Sequence, residues 1–312
     1  MAVSNSLRTA YGSALVELGK KYADVVALEA DLGKSTQSVM FKAEFPERYF
    51  EMGIAEQNMT STAAGLALAG KMPFINTFAV FASGRAYDQL RNSVCIPKLN
   101  VRICGSSSGL SDYGDGKTHQ SIEDMSIMRA IPNMTVVCPA DSIEVAKLMD
   151  CLHDYKGPVY IRINRNDLPL IYPEGEEYHI GKVTKMRDGK DAAVFACGVM
   201  VSKALEAAGE LEREGISLRV LNVGTIKPLD REAVIEYAKG VRAIVTAEEH
   251  TVVGGLGSAI VEALRSERHA LVEFLGVKDS FGTSAENYDL ILEKYGLTSK
   301  AIAESVRSLL DK

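Results

Sequence analysis

The sequence lacks the features that mark several large classes of protein. Its 35 Lys and Arg residues are outnumbered by 41 Asp and Glu, and the net charge of -6 is spread along the 312 residues without a basic stripe. This balance argues against binding to nucleic acid or to an anionic membrane. No apolar run approaches the roughly 20 residues that span a bilayer, and the N-terminus has no basic start followed by an apolar core. We therefore expect a cytoplasmic protein.

Cysteine is scarce and follows no ligand pattern. The chain has five cysteines, an odd number, and no two of them form a CxxC pair. Several lie in apolar, strand-like runs, as is typical of free thiols that are buried in a reducing compartment. We expect no metal ligand in this chain. The sequence also shows no internal repeat and no low-complexity tract. The cysteines are Cys95, Cys104, Cys138, Cys151 and Cys197.

Alternating strand and helix patterns divide the chain into two halves. Between Val25 and Arg165, β-rich runs such as "VVALEA" and "NVRICGS" are separated by helical patterns. The periodicity lapses between about Leu168 and Lys190, where prolines and acidic residues cluster, and then resumes. Strands separated by helices require a mostly parallel sheet that is covered on both faces. The sequence therefore predicts an α/β protein with two domains, at 1–170 and 191–312, joined by a linker at 171–190.

A glycine-flanked loop, "GDGKTHQ", carries an acid and a histidine. Its Gly-Lys-Thr resembles the end of a P-loop, but Ser111 stands where that loop needs a glycine, so we reject a P-loop. Asp115 and His119 follow the strand-like run "NVRICGS", and α/β sheets place their binding crevices at such loops. A lone loop histidine is most often simply solvated. The flanking glycines and the nearby acid favour a functional role here.

An acid stands near the start of a predicted helix in "GIAEQNM", among small and apolar neighbours. The simple explanation of Glu56 is a first-turn carboxylate that complements the helix dipole. For Phe78 and Phe81, in "NTFAVFASGRAYDQLR", the simple explanation is core packing. Beside a buried acid, the two rings could instead sandwich a heteroaromatic ring. The order of acid, aromatic pair and Asp-Gly-x-Thr-His is the informative pattern.

These motifs carry a resemblance to a known family. "GIAEQN", "TFAVFASGRAYDQ", "DGKTHQ", "IPNMTVVCPAD", "RINRNDL" and "EEHTVVGGLG", in this order, resemble the second half of transketolase. That half comprises a pyrimidine-binding domain and the transketolase C-terminal domain. The similarity runs over essentially the whole chain, and the ordered set is far more specific than any single motif.

The resemblance implies a cofactor site for thiamine diphosphate. Glu56 matches the glutamate that hydrogen-bonds N1′ of the aminopyrimidine. A buried acid can share its proton with that ring nitrogen, which favours the imino tautomer whose exocyclic nitrogen removes the thiazolium C2 proton. Phe78 and Phe81 match the aromatic segment against the pyrimidine, with Phe81 the better candidate for stacking. Arg85 is carried over with them as a cofactor-binding residue.

The resemblance also implies a substrate site. His119 matches the histidine that binds the donor ketose and helps to move protons, and Asp115 matches the acid that reads the C2 hydroxyl of the acceptor aldehyde. Asp31, in "EADLGKS", matches an acid near the dimer interface and the substrate channel. Arg165 matches an arginine that holds the substrate phosphate, a role that suits its fork of donors. A structural ion pair is the alternative for Arg165.

Two departures from the family pattern shape the functional hypothesis. The family usually has a further substrate histidine where this chain reads "CGSSSGL" near Gly105, so substrate length can differ. The Gly-Asp-Gly and asparagine motif that holds Mg²⁺ and the diphosphate is also missing, because the "GDG" of this chain lies in the substrate loop. We therefore expect the C-terminal subunit of a split transketolase, whose separate N-terminal subunit supplies the diphosphate and Mg²⁺ site.

On this hypothesis, the complete enzyme transfers a two-carbon ketol unit between sugar phosphates, from a ketose to an aldose, as in the pentose phosphate pathway. Self-association into a dimer of heterodimers, a heterotetramer, is expected. The runner-up is the beta subunit of a 2-oxo acid dehydrogenase, which typically has paired histidines where this chain has Thr118 and His119. A 1-deoxyxylulose-5-phosphate synthase is a further alternative, and a non-catalytic regulatory subunit is an alternative of another class.

Overall fold

Strands with helices between them make up the chain in the computed structural model, which describes residues 5–312. The strands are Val25–Glu29 (β1), Tyr49–Glu51 (β2), Met72–Phe78 (β3), Arg102–Ser106 (β4), Thr135–Val137 (β5), Val159–Arg162 (β6), Thr184–Arg187 (β7), Ala192–Ala196 (β8), Leu218–Asn222 (β9), Thr225–Lys227 (β10), Ala243–Thr251 (β11) and Leu271–Val277 (β12).

The helices alternate with these strands. They are Leu7–Lys21 (α1), Gly33–Thr36 (α2), Val39–Glu44 (α3), Glu56–Leu68 (α4), Tyr87–Gln89 (α5), Asp124–Ala130 (α6), Ser142–Cys151 (α7), Met200–Glu212 (α8), Arg231–Ala238 (α9), Leu256–Leu264 (α10), Tyr288–Lys294 (α11) and Ser299–Leu310 (α12). Short 3₁₀ turns cover Pro46–Arg48 and Gly116–Thr118. Two π-helical turns, Phe81–Arg85 and Leu90–Cys95, flank α5.

A seven-stranded sheet organises the first half of the chain. Its strand order is β10-β5-β6-β4-β3-β1-β2. All neighbouring strands run parallel except β10, which is antiparallel to β5. Strands β1, β3, β4 and β6 are buried along their whole length, as expected for parallel strands with helices on both faces. The predicted α/β class with mostly parallel sheets is confirmed.

Local signals in the sequence explain where two of the covering helices begin. The Ser6 side chain accepts a hydrogen bond from the Thr9 amide at the start of α1. The Asp141 side chain accepts one from the Glu144 amide at the start of α7, as its capping-box spacing predicts. The first turn of each helix therefore has a partner for one of its free amide groups.

A five-stranded sheet organises the second half. Its order is β12-β11-β8-β9-β7, with only β7 antiparallel to its neighbour. Strand β7 lies inside the segment 171–190, for which the sequence predicts only a linker. This strand is at the sheet edge and reads "TKMR", half-buried and mostly polar, so it has no apolar alternation that a pattern analysis would detect.

One strand from the second half of the chain lies in the first sheet, and polar contacts also join the two halves. Strand β10 follows β9 of the second sheet in sequence but joins the first sheet. The Asn222 amide at the end of β9 donates to the buried Glu144 carboxylate, at 2.9 Å. Burial raises the pKa of Glu144 to about 7, against the hydrogen bonds from Ala140 and Asn222 that lower it. Arg162 of β6 donates at 2.7 Å to the backbone oxygen of Glu249 in β11.

Two further expectations concern the whole described chain. All five cysteines are free, four of them buried and Cys151 half-buried. Within residues 5–312, none of the helices is both long and apolar enough to cross a membrane. The carboxyl ends of β1, β2, β3, β4 and β6 lead into the segments that carry the site residues predicted from sequence, because parallel strands deliver their following loops to one edge of the sheet.

Candidate active site

Glu56 is the first residue of α4 and is 1% exposed. The chain reaches it from β2 through a turn in which Gly53 has a φ of +66°, a conformation that glycine adopts without strain. Arg85 is the partner of its carboxylate. Nη1 of Arg85 donates to both carboxylate oxygens, at 2.8 and 2.9 Å, and the arginine side chain is 44% exposed. A buried negative charge is therefore held by a cation that still reaches solvent.

Three rings form a wall beside this ion pair. Phe78 ends β3, and Phe81 begins the π-helical turn that follows it. Their ring centroids lie 6.1 Å apart and their planes are nearly parallel. The imidazole of His119 meets both rings edge-on, with centroids 6.2 Å from Phe78 and 5.5 Å from Phe81. The structure thus brings the acid, the aromatic pair and the histidine to one edge of the sheet.

Arg85 joins the acid to the aromatic wall. Its guanidinium carbon lies 4.2 Å from the centroid of the Phe81 ring, so the arginine packs against the ring while it donates to Glu56. Cations over aromatic faces are attracted by the ring quadrupole. A flat, positively charged donor is therefore accommodated between the face of Phe81 and the carboxylate of Glu56.

His119 follows the 3₁₀ turn Gly116–Thr118 and is half-buried. Its Nδ1 lies 2.9 Å from the hydroxyl of Thr118, which fixes one edge of the ring and leaves Nε2 for another partner. Asp115 precedes the same turn and is exposed. The loop therefore presents an imidazole and a carboxylate from one short segment.

Arg165 forms an ion pair with an acid that the sequence analysis did not single out. Its Nη1 lies 2.8 Å from Oδ2 of Asp112, whose side chain is 2% exposed. Burial raises the pKa of Asp112, and the nearby Arg165 opposes that rise. Arg8 lies close by, since its pKa is lowered by burial and then by the positive charge of Arg165. The structural ion pair is thus present, and a second arginine accompanies it.

Asp31 stands apart from the aromatic wall. It is exposed, its φ is +62°, and its amide donates to the carboxylate of Glu51 at 2.8 Å. Among residues 5–312, no hydrogen bond or ring contact joins Asp31, Asp115 or Arg165 to the cluster of Glu56, Arg85 and the three rings. The structure brings five of the eight predicted site residues into direct contact with one another.

Sequence analysis missed three charged residues near the predicted site residues. Glu29 ends β1, is fully buried, and accepts hydrogen bonds from Thr36 and Ser38, while burial raises its pKa to about 7. An acid inside the apolar run "VVALEA" was the available signal for Glu29. Arg8 and Asp112 gave no such signal, because their proximity to Arg165 arises from segments that are far apart in sequence.

Comparison with known proteins supplies a family for this geometry. Two family models match, "Transketolase, pyrimidine binding domain" over residues 4–170 and "Transketolase, C-terminal domain" over residues 181–302. The "Putative transketolase C-terminal section" of Methanocaldococcus jannaschii is 44% identical over 313 residues, which cover 99% of this chain and 98% of that protein. A 6-deoxy-6-sulfo-D-fructose transketolase subunit of Clostridium sp. (strain MSTE9) is 42% identical, covering 98% of this chain and 95% of that protein.

A solved structure is similar over nearly the full length of both chains. The structure of "Split gene transketolase, inactive beta4 tetramer" matches with a TM-score of 0.88 at 45% sequence identity. The match covers 98% of this chain and 98% of that chain. The fold is therefore shared over nearly its full length with a protein of comparable extent.

Proposed function

The chain belongs to the transketolase family and corresponds to its C-terminal section, and from this premise we propose that it is the subunit of a split transketolase that supplies the pyrimidine half of a thiamine diphosphate site. Together with a separate N-terminal subunit, it transfers a two-carbon ketol unit from a ketose phosphate to an aldose phosphate. The observation that carries this proposal is the contact cluster of Glu56, Arg85, Phe81 and His119.

The residues of the cluster fit the aminopyrimidine ring of this cofactor. The guanidinium of Arg85 is flat, cationic and hydrogen-bond donating, and it packs against Phe81 while it donates to Glu56. A flat heteroaromatic ring with a protonated nitrogen has the same combination of properties. In the proposed site, Phe81 and Phe78 would hold the ring, and one carboxylate oxygen of Glu56 would bind the ring nitrogen while Arg85 keeps the other.

Glu56 has the central part in proton movement. When bound, the cofactor supplies the thiazolium carbon that adds to the ketose carbonyl. A carboxylate that is 1% exposed keeps its hydrogen bond without competition from water, so Glu56 can share a proton with the ring nitrogen and favour the imino form. Glu56 is the first residue of α4, and the two hydrogen bonds from Arg85 hold its carboxylate in place.

The substrate roles follow from the exposure and charge of the remaining residues. His119 stands at the edge of the ring wall with Nε2 available, which suits a donor to the ketose oxygens as charge develops on them. The exposed Asp115 suits the hydroxyl of the acceptor aldehyde. Asp31 remains proposed as an acid near the subunit interface and the substrate channel.

Two neighbouring arginines suit an anionic end of the substrate. Arg165 uses Nη1 for Asp112 and keeps other donors of its fork, and Arg8 adds a second positive charge beside it. Sugar phosphates are the proposed substrates. The Clostridium relative is named for a sulfo sugar. Phosphate and sulfonate are both tetrahedral oxyanions, so the same arginines suit either group.

The proposed partner is an N-terminal transketolase subunit that holds the diphosphate and Mg²⁺. Two observations support it. The Gly-Asp-Gly and asparagine motif for the diphosphate is missing from this sequence. The similar solved structure, of a split gene transketolase, is an inactive beta4 tetramer. A dimer of heterodimers is the proposed assembly.

Reconstitution tests this proposal. The chain alone, and the chain mixed with the N-terminal subunit, are titrated with thiamine diphosphate and Mg²⁺ in a calorimeter, and ketol transfer from a ketose phosphate to an aldose phosphate is then measured. We expect weak or no binding by the chain alone and a Mg²⁺-dependent site in the mixture. Glu56→Gln serves as the matched control, with binding retained in part and most turnover lost. Micromolar binding by the chain alone, or turnover of a 2-oxo acid in place of the ketose, would contradict the proposal.

A further inference from the structure

The loop that carries Asp115 and His119 is held by hydrogen bonds from both halves of the molecule, with Arg165 and Asn166 as its partners in the first half. This loop, Gly109–Gln120, is here called the histidine loop. It contains only the short 3₁₀ turn Gly116–Thr118, so little regular structure holds its shape. Its Leu110 amide donates at 2.8 Å to the carboxylate of Glu249 on β11. The position of the loop therefore depends in part on contacts that come from the C-terminal half.

One segment of the C-terminal half lies directly against the histidine loop. This segment, Gly282–Ala285, is here called the brace. The backbone amide of Ala285 donates to the backbone oxygen of Tyr113 at 2.9 Å. Gly116 has a φ of +74°, and a Cβ added there would stand 2.5 Å from the hydroxyl oxygen of Ser284. The turn before His119 therefore packs so closely against the brace that no side chain fits between them.

Gln120 connects the loop to the brace with its side chain. This residue follows His119 directly and is 3% exposed. Its Nε2 donates to the backbone oxygen of Thr283 at 2.9 Å. It also lies 3.2 Å from the backbone oxygen of Asp112 and 3.4 Å from that of Leu110. The side-chain amide of Gln120, the residue after His119, thus connects the start of the loop to the brace.

The brace is shaped to receive this amide and is itself fixed at both ends. A Cβ on Gly282 would stand 1.9 Å from Oε1 of Gln120, so only glycine leaves room for the side chain. The Tyr295 hydroxyl donates to the Phe281 oxygen at 2.8 Å just before the brace. After the brace, Tyr288 accepts a hydrogen bond from Asn164 at 2.7 Å, which ties it to the first half.

From these contacts we propose that Gln120 is a positioning residue through which the brace sets the place of the His119 imidazole against Phe78 and Phe81. The inference rests on the proposed function of His119 toward the substrate. It gives the C-terminal half a part in the reaction, although none of its residues belongs to the ring wall. A displacement of a catalytic group by about 1 Å can cost about 10²-fold in rate, so a brace of this kind has a measurable effect.

The test uses variants on both sides of the contact in the reconstituted complex with the N-terminal subunit. Gln120→Leu removes the donor, Gly282→Ala displaces the amide without changing the loop sequence, and Lys117→Met is the control at an exposed position of the same loop. We expect kcat to fall about tenfold for both site variants, with the Kd of thiamine diphosphate unchanged because Glu56 and Phe81 stand on other segments. The control keeps the wild-type kcat.

Non-additivity separates positioning from general destabilisation. If Gln120 acts through the imidazole, Gln120→Leu has no further effect on kcat in a His119→Ala background. A further tenfold loss in that background overturns the proposal, as does a wild-type kcat for Gln120→Leu. Should Gln120→Leu fail to fold by circular dichroism, Gly282→Ala replaces it in the same cycle.

Hydrogen exchange gives a readout that does not depend on activity. Gln120→Leu is expected to speed amide exchange in both 109–121 and 279–286, and Lys117→Met in neither. If the wild-type complex shows no ketol transfer, the proposed function fails and this measurement alone decides the coupling between loop and brace. Unchanged exchange in 279–286 would then overturn it.

Discussion

The ion pair of Glu56 and Arg85 gives a stability cost that can be worked out from the structure. Breaking a fully buried pair by removing one partner costs about 3–5 kcal/mol. Here Glu56 is 1% exposed, but the Arg85 side chain is 44% exposed, and exposed pairs contribute only about 0.2–1 kcal/mol. The first turn of α4 also favours the negative charge by about 0.3–1 kcal/mol without the arginine. Arg85→Met should therefore lower the free energy of unfolding by about 1–2 kcal/mol.

Urea unfolding of the chain, followed by circular dichroism, measures this loss. Arg91→Met is the matched control, because Arg91 is exposed and bonded at 2.8 Å to its neighbour Asn92. A double-mutant cycle with Glu56→Gln should give a coupling energy of about 1 kcal/mol, since both single variants break the same contact. A loss no larger than that of the control, or a coupling energy of zero, would refute the reasoning that the arginine compensates a buried charge.

Four further outcomes follow from other contacts. Arg102→Met should cost about 2–4 kcal/mol in urea unfolding, because it leaves three backbone oxygens after α7 without their charged donor. Gly224→Ala should destabilise the chain by about 1–3 kcal/mol, since its Cβ would stand 2.1 Å from a carboxylate oxygen, whereas Gly209→Ala in the open face of α8 should stabilise it by about 0.5–1 kcal/mol. Glu144 has its pKa raised to about 7 from 4.5, so the folded chain binds the proton more tightly. Its contribution to stability is complete below pH 4.5 and is lost as pH rises through about 7, and Glu144→Gln should flatten that slope in melts at several pH values. Asp115→Ala should lower kcat/KM for 2-hydroxyaldehydes relative to aldehydes without that hydroxyl, and an unchanged ratio in the reconstituted complex would exclude acceptor recognition by Asp115.

The strands that sequence analysis failed to predict share one physical feature. Strands β2, β7 and β10 all lie at sheet edges. Their sequences, "YFE", "TKMR" and "TIK", are short, and two of the three are partly exposed along their length. The strands inside each sheet are buried on both faces, so they appear as apolar runs that a pattern detects. An edge strand forms because it pairs with a neighbour that is distant in sequence, and β10 pairs with β5, a strand of the other half. A local sequence pattern does not contain that information.

The same distinction applies to the site. Glu56, the phenylalanine pair and His119 lie within one stretch of sequence and follow consecutive strands of one sheet, so motif order alone brought them together as candidates. Their assigned roles and the domain boundaries at 170 and 190 stay predictions. The contacts that hold the site residues could not be predicted from the sequence. The ion pair of Arg165 with Asp112 and the hydrogen bond of Gln120 to Thr283 each join segments that lie close together only in the folded chain.

This division has a consequence for how the site tolerates change. Glu56, Phe78 and Phe81 stand on segments that follow strands of the first sheet, whereas the histidine loop takes some of its hydrogen bonds from β11 and the brace. A substitution in β11 or the brace can therefore alter the substrate side of the site while Glu56, Phe78 and Phe81, which stand on other segments, keep their geometry. Substitutions at Glu249 or Gly282 should accordingly change substrate turnover more than cofactor affinity.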